Sequence, residues 1–154
     1  MRPEDIVGEG TEHVLTYQDG TRRRVFVTGI ETPFPPGELI VSQTDPAGFI
    51  TECNEAFVRM SGYSREELIG QPHHIIRHPD MPAAAFKDLW DTIMAGKKWQ
   101  GYVKNLRKDG GFYWVRAVVV ANVRSGTIVS YTSVRREPSR GKIAEVEALY
   151  RTMR

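Results

Sequence analysis

Three long runs of alternating residues, about 99–108, 111–122 and 127–136, follow one another with only Asp109-Gly110 and Ser125-Gly126 between them. Short junctions ending in glycine favour tight hairpin turns, so these runs pair antiparallel. Successive side chains in a strand point to opposite faces. Tyr113, Val115, Ala117 and Val119 therefore share one face of the middle strand, and Phe112, Trp114, Arg116 and Val118 the other. A sheet of this size with one apolar face must be covered by other elements.

The residues before it supply the cover. Leu39 to Thr44 and Phe49 to Glu52 read as two further strands around an Asp45-Pro46-Ala47-Gly48 turn. Asn54 caps a short helix, Glu55 to Met60, that Gly62 ends, and Ser64 with Glu67 forms a capping box before a second. A longer helix runs from Pro82 to Ala95, with Phe86, Leu89, Trp90 and Ile93 on one face. The pattern predicts an α+β fold: a five-stranded antiparallel sheet with short helices on one face and a concave pocket between them.

Both ends carry additions. Residues 1–12 are polar and are expected to be mobile. Residues 13–28 read as a hairpin turning at Gln18-Asp19-Gly20, and Thr32 to Gly37 as a proline-rich linker. Arg22, Arg23 and Arg24 fit a solvated strand edge. After Pro138, Ser139 caps a last helix whose Ile143, Val146, Tyr150 and Met153 have heptad-like spacing. The expected division is 1–37 as N-terminal extension, 38–137 as the main domain and 138–154 as an output or linker helix.

At 154 residues the chain fits one domain, and its net charge of +2 does not point to nucleic acid. A single cysteine, Cys53, rules out a disulfide framework, and the N-terminus lacks a signal-peptide core. A cytoplasmic binding protein is the expectation. No nucleophile triad, phosphate loop or hydride-transfer fingerprint points to an enzyme.

The chemistry concentrates in residues 71–82. His73, His74, Arg77, His78 and Asp80 stand among Pro72, Pro79 and Pro82. Proline stiffens the backbone, forces His78 towards extended geometry and starts the following helix. A rigid polar loop of this kind grips something polar, an anion above all. Arg77 either contacts such a ligand or pairs with Asp80 at the surface, and Asp80 orients Arg77 or caps the helix. Trp90 either stacks on a flat ring or packs in the core. Asn105 lies within a strand, where asparagine is disfavoured, which favours a functional role. The histidine spacing matches no common zinc pattern.

Asp45-x-x-Gly48-x-Ile50 with Asn54 and Phe57, then Ser61-Gly62-Tyr63-Ser64 and Glu67-Leu68-Ile69-Gly70, resembles a PAS sensor domain. Gln71-Pro72-His73, Arg77 to Pro82, Leu89-Trp90 and Lys104-Asn105 with Tyr113-Trp114-Val115 are similar to the flavin-binding PAS domain of bacterial aerotaxis (redox-sensing) receptors. The resemblance covers about 35–136. It implies a PAS fold, noncovalent FAD, and signalling of redox or oxygen status. It maps flavin contacts onto Asn54, His73, Arg77, His78, Asp80, Trp90 and Asn105. Other readings are a haem-binding gas sensor and a cofactor-free interaction or dimerisation module. A homodimer or a downstream signalling partner is expected to meet the terminal helix. The hairpin at 13–28 is not part of the family pattern. Cys53 is not in the helical position from which photosensory flavin domains form a cysteine adduct, and is expected to be a buried structural thiol.

Overall fold

The structure is a computed structural model, and it describes residues 1–17 and 20–153. Gln18 and Asp19, assigned to the hairpin turn, lie outside the described residues. The elements are β1 (Thr11–Thr16), β2 (Arg22–Val27), β3 (Ile40–Thr44), β4 (Ile50–Cys53), α1 (Glu55–Ser61), α2 (Arg65–Leu68), α3 (Ala83–Met94), β5 (Trp99–Leu106), β6 (Phe112–Arg124), β7 (Thr127–Arg136) and α4 (Arg140–Met153), with 3-10 turns at Pro3–Asp5 and His73–Ile76.

Five strands form one antiparallel sheet in the order β4-β3-β7-β6-β5, and β1 and β2 form a separate hairpin. The last strand in sequence thus sits at the centre of the sheet. It is flanked by β3, with Ser42 opposite Ser133, and by β6, with Ala117 opposite Arg135.

Local signals set the boundaries. The Asn54 side chain accepts from Phe57 N at 3.1 Å and starts α1, and Gly62 ends it with φ +78, a left-handed conformation that glycine adopts without strain. Ser64 and Glu67 form the reciprocal capping box that opens α2. The inner face of the sheet packs Phe57, Leu68, Ile76, Ile93, Tyr113 and Val115 into the main core. The outer face packs Trp114 against Ile143 and Tyr150 of α4.

Two expectations are corrected here. Residues 1–12 are docked rather than loose: Val7 N bonds Asp109 O at 3.1 Å, and Phe26 N approaches Met1 Sδ at 3.0 Å. Arg23 does not belong to a solvated edge. Its guanidinium donates to Ile75 O at 2.6 Å and to the Tyr63 hydroxyl at 2.9 Å, while Arg24 remains exposed beside Glu12. Strand alternation accounts for the split, because neighbours along β2 face opposite ways.

Candidate functional site

Between the inner face of the sheet and α3 lies a cavity of about 180 Å³ that opens to solvent. Small residues on the sheet and its turn, Ser42, Ala47, Gly48, Ala117 and Ser133, leave the room. Phe86, Leu89, Trp90 and Ile93 from one face of α3 form the opposite wall, as their spacing predicted. Gly48 holds φ +92, and a Cβ there would meet the Trp90 ring at 3.0 Å, so glycine is what lets the indole sit edge-on to Tyr131 with ring centroids 5.7 Å apart.

The floor carries a charge. Arg135, only 3% exposed, donates Nη2 to Ser42 Oγ at 2.8 Å and lies 2.7 Å from His73 Nε2. Among the described residues, its Nη1 has no hydrogen-bond partner, and no carboxylate pairs with it. Burial pulls its pKa down to about 10. Burial and the neighbouring guanidinium hold His73 at about 3, so the imidazole is neutral and Nε2 accepts from Arg135. That places the ring proton on Nδ1. Arg77 is a second cation at the cavity, its guanidinium 4.6 Å from the Phe86 ring and 5.8 Å from the Tyr17 ring. Its Nε is buried without a partner among the described residues, and burial lowers its pKa. The Asn105 amide and the Thr44 hydroxyl also face the cavity, and neither Asn105 Nδ2 nor Thr44 Oγ1 has a described partner in good geometry.

The structure brings His73, Arg77, Trp90 and Asn105 together on the cavity wall and leaves Asn54, His78 and Asp80 outside it. Asn54 is occupied by the chain itself: besides capping α1, it accepts from Val41 N at 3.2 Å and donates to Leu39 O at 2.8 Å. His78 is buried, and its Nδ1 accepts from Asp80 N at 2.9 Å, which knots the loop. Asp80 neither orients Arg77 nor caps α3. Its carboxylate takes the buried Lys104 ammonium at 2.8 Å, and α3 starts after Pro82, which supplies no side-chain cap. Lys104 points to the sheet face opposite Asn105, where it also lies 4.3 Å from the Phe112 ring.

Sequence reasoning missed Arg135. The available signal was its alternation with Tyr131 and Ser133, which puts it on the inner face of a strand that proves central. Cys53 is half-buried beside Arg65 rather than fully buried, burial raises its pKa, and it does not line the cavity. Among the described residues, no three His, Cys, Asp or Glu side chains are grouped to hold a metal ion, and no helix is long and apolar enough to cross a membrane.

A family model described as the PAS fold matches residues 50–135, the span that holds most of the sheet, α1 to α3 and Arg135. The chain belongs to the PAS family of sensor domains. This PAS domain is 48% identical over 128 residues to the aerotaxis receptor of Escherichia coli strain K12, covering 83% of the chain and 25% of that receptor. It is 27% identical over 140 residues to the nitrogen fixation regulatory protein of Klebsiella pneumoniae, covering 90% of the chain and 27% of the relative. The chain thus spans about a quarter of the length of these curated relatives. A light-oxygen-voltage domain, solved in a study of its mechanism with a flavin analogue, superposes with a TM-score of 0.65 at 19% identity, over 76% of this chain and 90% of that one. The expected five-stranded PAS fold with an added hairpin and a terminal helix is the observed one.

Proposed function

We propose that this PAS domain binds FAD noncovalently between α3 and the sheet and reports redox or oxygen status to a signalling region, as the sensor of an aerotaxis-type receptor in the cytoplasm. The observation that carries this reading is Arg135: a buried guanidinium without a counter-ion among the described residues, aimed into a cavity with an aromatic and aliphatic wall. A buried cation is costly unless paired. A ligand with a flat apolar body and an electron-rich polar edge would satisfy both features. Identity of 48% to an aerotaxis receptor supports the same assignment.

Bound flavin would supply the redox change itself. The residues that would hold it are Arg135, His73, Asn105 and Thr44 as polar contacts, Trp90, Phe86 and Leu89 as the apolar wall, and Arg77 as a second cation. Arg135 and Arg77 favour added negative charge at the site, because both lie in surroundings that screen charge poorly. Asn54, His78 and Asp80 support the loop and α1 rather than touch the ligand. Residues 1–37 then act as an extension, 38–137 as the sensor and 138–154 as the link to a partner or downstream region, and the role is binding rather than catalysis.

The absorbance spectrum of the purified protein, followed by chromatography of what acid releases, tests the assignment. FAD in near-equal amount to protein is expected. Release of FMN or haem, or a colourless protein that takes up no added FAD, ends it.

A further inference from the structure

We propose that the N-terminal hairpin is a working part of the ligand site and that Tyr17 is its positioning residue. Tyr17, only 7% exposed, follows β1 and lays its ring flat on His74, with centroids 3.7 Å apart and planes 12° apart. The same ring and Phe86 of α3 lie 5.8 Å and 4.6 Å from the Arg77 guanidinium, so the cation is bracketed between the hairpin and the cavity wall. Arg23 on β2 adds bonds to Ile75 O and the Tyr63 hydroxyl. The hairpin thus grips the loop at residues 74, 75 and 77, and two of these, His74 and Arg77, line the cavity.

Among the described residues, no carboxylate pairs with Arg77, and the faces of Tyr17 and Phe86 are what fix its guanidinium. A long charged side chain left free of such contacts populates many rotamers and loses them on binding. Tyr17 reduces that loss by fixing the cation before the ligand arrives. Its hydroxyl is buried without a described partner and does not line the cavity, so the ring, not the oxygen, does the positioning.

The test compares the wild-type 154-residue chain with Tyr17→Ala and Tyr17→Phe, each stripped of ligand and then titrated with FAD; only the second readout rests on the flavin reading. In the stripped proteins, hydrogen exchange at the amides of Ile75 and Arg77, which bond Pro72 O and His74 O, should speed up about ten-fold or more in Tyr17→Ala and stay near wild type in Tyr17→Phe. The FAD dissociation constant should rise about ten-fold in Tyr17→Ala and recover in Tyr17→Phe. Both must move together. Unchanged exchange, or faster exchange with unchanged FAD affinity, overturns the proposal. If the wild type itself binds no FAD, the flavin reading falls, and the exchange result alone decides whether the hairpin holds the loop. Should Tyr17→Ala fail to fold, Arg23→Met, which removes the bonds to Ile75 and Tyr63, takes its place: both quantities should again move together, and either one unmoved overturns the proposal.

Discussion

On the proposed reading, binding and stability pull in opposite directions at Arg135, and this distinguishes a ligand group from a structural one. Without ligand, its charge is desolvated and has no carboxylate partner among the described residues. Removing a buried charge that lacks a counter-ion relieves its desolvation penalty. Arg135→Met should therefore leave the melting temperature of the stripped protein unchanged or raise it. The same change should weaken FAD about ten-fold or more, the value of one charge-assisted contact. Tight FAD binding in a destabilised Arg135→Met would reverse the assignment. His73 gives a pH signature. Its pKa is about 3 when folded against an ordinary value of about 6.5, so the unfolded chain binds the proton that the folded one refuses. Stability contributed by His73 is present above about pH 6.5 and is lost as pH falls towards 3, at no more than about 1.4 kcal/mol per pH unit. Denaturant unfolding of the stripped protein between about pH 6.5 and 5, above the carboxylate range, should show this slope, and His73→Gln should flatten it.

At the scale of elements, the loop at 71–82 is a scaffold as much as a cavity wall. Lys104 is buried and its ammonium depends on Asp80, which is more exposed. Asp80→Ala should cost roughly 2 kcal/mol, less than a fully buried pair would, because solvent partly screens the site. FAD retention should fall with it through a loosened loop. Adding Lys104→Met to Asp80→Ala should restore much of the stability, which thermal unfolding of the single and double variants measures. No recovery would mean that Lys104 is not the group Asp80 serves. This pairing also shows what sequence could and could not reveal. The strands, the caps at Asn54 and Ser64 and the apolar face of α3 were legible because they are local periodicities. His73, Arg77, Trp90 and Asn105 were legible as cavity residues because unusual residues stood in a recognisable pattern. The Asp80–Lys104 pair and Arg135 were not legible for one reason: both contacts join segments distant in the sequence. Lys104 meets Asp80 across 24 positions, and Arg135 reaches Ser42 across 93.

At the scale of the molecule, the question is how a change in the cavity leaves the domain. The apolar stripe of α4 does not wait for another helix: Ile143 and Tyr150 are buried on the outer face of the sheet with Trp114, and only Met153 of the heptad-like set is exposed. Tyr150 Oη donates to Tyr102 O at 2.7 Å, and Ser139 N bonds the Tyr102 hydroxyl at 3.2 Å. The helix is thus moored to β5 from both ends, and dimerisation through its apolar stripe would first require it to undock. The route to it is short. Arg135 stands next to the end of β7, four residues before Ser139, with Arg136, Glu137 and Pro138 between them. A change in what Arg135 binds therefore bears on the strand end from which α4 hangs. Hydrogen exchange on the protein with oxidised and with reduced flavin should differ across residues 134–150. Tyr150→Phe, which removes a mooring bond worth about 1 kcal/mol, should raise exchange in α4 in both states and shrink the difference between them. A redox-dependent change confined to the hairpin at 11–27, with 134–150 unaffected, would place the output at the N-terminal end, where Tyr17 and Arg23 already touch the same loop.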